Sequence, residues 1–425
     1  MTVREYVCAA ALLVSWAPPA AAQSAFTIDQ AVQQAVDRNL SLIAERLNLS
    51  VADAAIVTAQ LRPNPVLSGG ANSLDWLGTG FNDINGAGPP EYSIRVDVPF
   101  ERGRKRELRT EVAASAKLVA EAQLADAVRR LKLDVTVAAV DVLEARAKLR
   151  LARENLDTLS RLVELNERRL TSGALPPLEV TRSRVAMLQY RGSVKAAELN
   201  LTQARLKIHA LLGRQPTDPL ADIDDALGVP PAARAADLDA LQAAARTYRP
   251  DVRALHDDQA RSQSDLRLQL AQGRVDYTIG AEYRRQQGVN GKGNLAGLFF
   301  SVPLPVFNRN QGEIARAEAA HEKAGRSVVA LETNVASEVA SAYEEFETAR
   351  QLLADMEREL LKPAADARAG TAYVYQAGAT SLLDVLDAQR AFNETMDTYY
   401  TAQAAYRRAE ARLTLVAGVE PGRQP

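Results

Sequence analysis

Apolar positions change their period several times along the chain, and each change marks an element. Over 27–60 they fall at Ile28, Ala31, Val32, Ala35 and Val36 and again at Leu47, Val51, Ala54 and Ala55, the spacing of one amphipathic helix. Arg62-Pro63-Asn64-Pro65 stops it, because proline has no N–H to donate and its ring blocks continuation. A weak strand is predicted over 66–73, followed by a loop rich in Gly, Asn and Pro over 74–90. The period then falls to two: Tyr92, Ile94, Val96 and Val98 alternate with Ser93, Arg95 and Asp97, giving one apolar and one polar face. Residues 104–172 contain neither glycine nor proline across 69 positions. Such a run predicts one helix of ~100 Å with a coiled-coil-like seam through Val119, Leu131, Val135, Val142, Leu149 and Leu159. Gly173 and Pro176-Pro177 end it, and 178–212 returns as a second helix, forming a long antiparallel hairpin.

The second half repeats these periods. Helix is predicted over 237–273; Val275, Tyr277, Ile279, Ala281 and Tyr283 then alternate with Asp276, Thr278, Gly280, Glu282 and Arg284. A loop over 285–294, a strand over 295–304, mostly helix over 311–375 and a returning helix over 380–416 complete the half, with Pro363 expected to kink or interrupt the ladder. The punctuation matches residue for residue: Gly173-Ala-Leu-Pro-Pro-Leu-Glu-Val returns at Gly378-Ala-Thr-Ser-Leu-Leu-Asp-Val, and Gly213 returns at Gly418, both at an offset of 205. A duplicated unit implies a pseudo-symmetric architecture. The expected divisions are a first repeat over 23–216, a connecting segment over 217–236, a second repeat over 237–421 and a short tail over 422–425.

The N-terminus sets the compartment. Arg4, an apolar run over 7–17 and the small residues Ala20-Ala21-Ala22 have the form of a secretory signal over 1–22, and the run is too short for a transmembrane helix. Cys8 lies inside that run without the lead-in that lipid attachment needs, so the mature chain is expected to be unlipidated and free of cysteine. Of the residues 47% are hydrophobic but only 5% aromatic, a mixture that suits long, closely packed helices. A net charge of −2 implies no nucleic-acid partner. His209, His256 and His321 are isolated, and no metal-ligand cluster, nucleophile motif or phosphate-cradling loop is present, so the chain reads as a non-enzyme without a cofactor.

Four amphipathic strands leave two open edges, and a bilayer does not tolerate unpaired backbone groups. Three copies would supply twelve strands, an even number in the range of outer-membrane barrels, with Ser93, Arg95, Asp97, Asp276, Thr278, Glu282 and Arg284 turned to the lumen. The alternatives are a soluble hairpin, or a secreted coiled-coil spacer or adhesin in which the strands are incidental.

The junction Val98-Pro-Phe-Glu-Arg-Gly-Arg-Lys-Arg106, its partner Val302-Pro-Leu-Pro-Val-Phe-Asn-Arg-Asn-Gln-Gly312 and the turn Tyr375-Gln-Ala-Gly-Ala-Thr-Ser-Leu-Leu-Asp384-Val-Leu-Asp387 carry a resemblance. Over nearly the whole mature length the chain resembles the TolC-type outer membrane efflux protein family, nearest to members serving cobalt, zinc and cadmium resistance. The resemblance implies a homotrimer whose twelve-stranded barrel sits in outer membrane lipid and whose helical tunnel meets a periplasmic adaptor and an inner-membrane pump. It also implies a passive duct for heavy-metal cations, with drugs or other small molecules as the alternative cargo. Asp384 and Asp387 match the periplasmic entrance, where threefold symmetry would make rings of carboxylate; the competing role is that of solvated helix-start residues. Glu179 and Tyr375 match a gating pair, but Thr380 stands where the family has an arginine, so that charged latch is missing. For the basic cluster Arg102, Arg104, Lys105, Arg106 and Arg109 a membrane-interface position, a tunnel-facing one and a merely solvated one stay open.

Overall fold

The computed structural model describes residues 25–78, 90–228, 237–288 and 291–418; the signal segment 1–22, the tail 422–425 and most of the loop over 74–90 lie outside them. In chain order the first half holds β1 (Ala25–Phe26), α1 (Ile28–Arg38), α2 (Leu40–Gln60), β2 (Val66–Asn72), β3 (Glu91–Phe100), α3 (Lys105–Thr171) and α4 (Pro177–Leu211). After β4 (Asp222–Ile223) come α5 (Leu238–Tyr248), α6 (Pro250–Gln272), β5 (Tyr277–Gly288), β6 (Gly291–Ser301) and α7 (Gln311–Asp355). A π-helical turn (Met356–Leu360), α8 (Leu361–Gln376) and α9 (Leu382–Val416) close the chain. The order helix, helix, strand, strand, long helix, returning helix therefore runs twice.

The chain forms two compact units. One takes Leu40–Leu133, Ala232–Thr348 and Ala409–Pro425 and contains an antiparallel sheet in the order β2-β3-β5-β6. Its faces are inverted relative to a soluble sheet. Tyr92, Ile94, Val96, Ile279, Tyr283, Leu298 and Phe300 are exposed, whereas Arg95, Asp97, Glu282 and Arg284 are half-buried on the other face. There Arg95 donates to Asp97 at 2.8 Å and Arg284 to Glu282 at 2.9 Å, and the Arg95 guanidinium lies 4.1 Å from the Phe299 ring. The loop expected over 285–294 is mostly strand: Arg285 pairs with Asn294, Gln286 with Gly293 and Gly288 with Gly291. Glycine and asparagine weaken a strand, but a ladder already in register with β3 carries the hairpin to its end. Asp276, expected in the lumen-facing set, precedes β5 instead and binds the buried Lys105 Nζ at 2.7 Å. Val335, Val339 and Ala342 lie fully inside the helical layer of this unit.

The other unit takes Met1–Asn39, Asp134–Pro231 and Ala349–Arg408. Its core is the predicted seam, with Val135, Val142, Leu149 and Leu159 buried beside small residues such as Ala138 and Ala139. Within the connecting segment β4 pairs in parallel with β1. Asp222 of β4 accepts from Arg205 and Arg146; burial pushes its carboxyl up, but these guanidiniums outweigh burial and leave it below its ordinary value.

Two predicted helices are broken, and by the same device. The helix expected over 27–60 parts at Asn39, whose backbone is extended (ψ 122°). The one expected over 237–273 parts at Arg249, with Pro250 opening the next helix. Each break seats the end of a returning helix. Gly213 (φ 65°) lies so near the first break that an added Cβ would stand 2.2 Å from the Arg38 carbonyl oxygen, and Gly418 (φ 69°) packs on Arg249. Asn39 Nδ2 donates to the Leu211 carbonyl at 3.0 Å and Arg249 Nη1 to the Val416 carbonyl at 3.2 Å. Those carbonyls end α4 and α9 and would otherwise lack donors. The ladder is interrupted just before Pro363, where the π-helical turn lies, with the Leu361 N–H reaching back to the Met356 carbonyl.

Candidate functional site at the hairpin turns

The site lies in the seam-bearing unit, where α3 turns into α4 and α8 into α9. Both turns are built alike. The Ala174 N–H reaches the Arg169 carbonyl at 2.8 Å and the Ala379 N–H the Val374 carbonyl at 3.0 Å, around Gly173 and Gly378 at φ 74° and 79°. This six-to-one bond with glycine at the left-handed position ends a helix within one residue.

Asp384 sits three residues into the start of α9. Its Oδ2 accepts from the Ser381 backbone N–H at 3.1 Å, the Ser381 hydroxyl at 2.7 Å and the Thr380 hydroxyl at 2.7 Å, while the Ser381 hydroxyl oxygen accepts from the Asp384 N–H at 3.2 Å. This is a reciprocal capping arrangement. The Ser381 and Thr380 hydroxyls and the Ser381 N–H hold the exposed Asp384 carboxyl below its ordinary range. All its donors are neutral, so its charge stays whole. Asp387, by contrast, pairs with Arg390 at 3.0 Å. The two aspartates expected to act together thus differ: one carries an uncompensated charge, the other a compensated one.

Glu179 and Tyr375 do not form the expected bond. Glu179 pairs with Arg182 at 3.3 Å, and the Tyr375 hydroxyl donates to Asn166 Oδ1 at 2.8 Å. Both Tyr375 and Asn166 are buried, and that burial pushes the phenol up. The clamp between α3 and α8 comes instead from Arg169. Its Nη1 donates to the Tyr375 carbonyl at 3.2 Å and its Nη2 to the Gln376 carbonyl at 2.7 Å, with the guanidinium 5.2 Å from the Tyr375 ring. A cation at a helix C-terminus meets the negative end of the dipole as well as its last carbonyls, of which that of Tyr375 also accepts from the Gly378 N–H at 3.0 Å. Sequence reasoning missed Arg169 and Asn166; the one available sign was a basic residue in the last turn of a helix.

Away from the turns, polar bonds cross the helix seam. Gln389 donates to Asn155 at 3.0 Å and to Asn393 at 3.1 Å, and Asn393 donates to Tyr190 at 2.6 Å, joining α9, α3 and α4. Farther along α9, Tyr399 donates to Glu357 at 3.0 Å; burial first, then that carboxylate, push its phenol up to about 12.

Among the described residues no helix is long and apolar enough to cross a membrane, and no group of three or more His, Asp or Glu could hold a metal ion.

The outer membrane efflux protein family matches the chain twice, over residues 31–214 and again over 235–419. The cobalt-zinc-cadmium resistance protein CzcC of Cupriavidus metallidurans is 26% identical over 372 residues, covering 88% of this chain and 85% of that protein. Among solved structures, the outer-membrane channel OprN superposes with a TM-score of 0.75 at 19% identity, over 94% of each chain. CusC superposes with a TM-score of 0.75 at 18% identity, over 94% of this chain and 96% of that one. At these identities the structures speak for the fold alone.

Proposed function

The chain belongs to the outer membrane efflux protein family, whose members are passive channels and not enzymes, and on that premise we propose that three copies form one duct. Twelve strands close a barrel in the outer membrane, the signal over 1–22 is removed on export, and the helices line a periplasmic tunnel that receives cargo from an adaptor and an inner-membrane pump. The observation that carries this reading is the inverted sheet. Its apolar side chains are exposed, its ion pairs lie on the opposite face, and its outer strands β2 and β6 each leave one edge unpaired. Joining β2 of one copy to β6 of the next satisfies both edges and turns the apolar face to lipid.

Cysteines at Ser68 and Phe299, one on each edge strand, should turn a heat-labile trimer that sediments with outer membranes into one that withstands heat until it is reduced. A soluble monomer that never crosslinks sinks the barrel.

Heavy-metal cations are the proposed cargo, a reading supported by the kinship to CzcC. At the entrance, the uncompensated Asp384 carboxylates would favour cations at the mouth, with Asp387 in a lesser role. Paired with a metal-type pump and adaptor lacking their own duct, the chain should restore zinc or cobalt tolerance. Restored drug tolerance with no gain against metals would reassign the cargo.

A further inference from the structure

At the helix-side end of the sheet, four exposed arginines gather: Arg102, Arg104, Arg274 and Arg309. The Arg102 backbone N–H donates to Asp276 at 2.7 Å, and a Cβ on Gly103 would stand 3.0 Å from the Arg274 side chain. A Cβ on Gly273 would stand 2.9 Å from the Arg309 carbonyl oxygen, so the four backbones are close neighbours. The acids nearby are already engaged. Asp276 takes Lys105 and Glu101 takes Arg109, and among the described residues none of the four arginines has a carboxylate within 4.0 Å. Arg104 also holds a left-handed backbone (φ 59°), which a non-glycine residue adopts at a cost.

Two further features share this end of the sheet. Phe100, Tyr277 and Phe300 form a run of rings across three adjacent strands, with centroids 5.4 Å and 5.9 Å apart. Beyond β6, Leu304, Val306 and Phe307 are 79%, 63% and 91% exposed. Aromatic rings mark the level at which a barrel wall leaves hydrocarbon, and guanidinium forks match phosphate oxygens. A soluble anion would account for the arginines but not for the exposed Leu304 and Phe307.

We propose that this junction is a headgroup site, in which Arg102, Arg104, Arg274 and Arg309 take the phosphate of an anionic phospholipid in the periplasm-facing leaflet while Leu304, Val306 and Phe307 enter its acyl region. The inference rests on the barrel reading and adds to it a preference for lipid charge.

The test uses the full-length protein in detergent with equal phosphatidylglycerol and phosphatidylcholine, counting retained lipids by native mass spectrometry. Wild type should retain phosphatidylglycerol preferentially. The triple variant R104Q/R274Q/R309Q should lower that preference about tenfold, since each basic residue near an anionic surface contributes measurably. Lysine at the same three positions should keep most of it, and 1 M salt should abolish it. Equal retention of both lipids by wild type overturns the site, as does a triple variant that no longer forms the trimer, because its arginines would then face a neighbouring copy. Sedimentation of wild type with outer membranes and its heat-labile trimer band read the barrel separately. A trimer without lipid preference defeats only the headgroup site, whereas a missing trimer defeats both.

Discussion

Arg169 holds two carbonyls at the end of α8, and its removal leaves that of Gln376 without this donor while that of Tyr375 keeps the Gly378 N–H at 3.0 Å. Hydrogen bonds to a charged group contribute ~1.5–3 kcal/mol, so Arg169→Gln should loosen the turn region by about that amount. Faster amide exchange at residues 373–377 and a larger mean conductance in planar bilayers are the expected results; unchanged exchange would remove Arg169 from the latch. At Asp384 the sign of the pH effect follows from its lowered carboxyl. The cap it makes is fully present above its ordinary value of 3.8 and is lost as pH falls through the lower folded value. Asp384→Asn should reduce cation selectivity in bilayer recordings at low salt more than Asp387→Asn, because Arg390 already compensates the latter. Equal effects would mean that both carboxylates act as bare charges. The place of Asp384 near a helix start was legible in the sequence, but its capping by Ser381 was not drawn from it. Nor was Asn166 legible: a buried asparagine inside a seam differs from a solvated one only by what packs over it.

Element by element, local chemistry that acts locally was readable. The strand alternation, the glycine turns at Gly173 and Gly378 and the effect of Pro363 all follow from a residue and its near neighbours. The breaks at Asn39 and Arg249 do not, since helical periodicity runs straight through them and the cause, Gly213 or Gly418, lies far along the chain. Pro250 was the only local hint, because proline is welcome in the first turn of a helix. The two seats predict an inequality. An alanine at Gly213 must accept a left-handed backbone and also meet the Arg38 carbonyl at 2.2 Å, whereas at Gly418 the nearest atom is 3.3 Å away. The backbone term costs ~1 kcal/mol at either position, and the clash adds to it only at the first. Gly213→Ala should therefore lower the temperature of trimer dissociation more than Gly418→Ala; the reverse order would remove the Gly213 seat as a structural requirement.

For the molecule as a whole, the barrel reading fixes a topology. Cysteines at Gly80 and Asn290, between the members of each strand pair, should react with an impermeant thiol reagent on intact cells. Reaction only after permeabilisation would turn the duct around. The seats add something that strand arithmetic does not contain. In the first half a neutral amide, Asn39, joins break to helix end. In the second the joint is ionic: Arg249 binds Asp251 at 2.6 Å and Glu338 at 2.8 Å, and Arg129 stands 3.7 Å from Asp251. Burial pushes the Asp251 carboxyl up, but Arg249 and then Arg129 outweigh it and hold it below the ordinary 3.8, so this joint is strongest above that value and gives way as pH falls below it. Acid therefore acts on one fastening and spares the other. Protection factors at residues 411–418 should fall between pH 7 and pH 3 while those at 206–213 persist, making an inherited duplication into a chain whose two copies come undone at different pH.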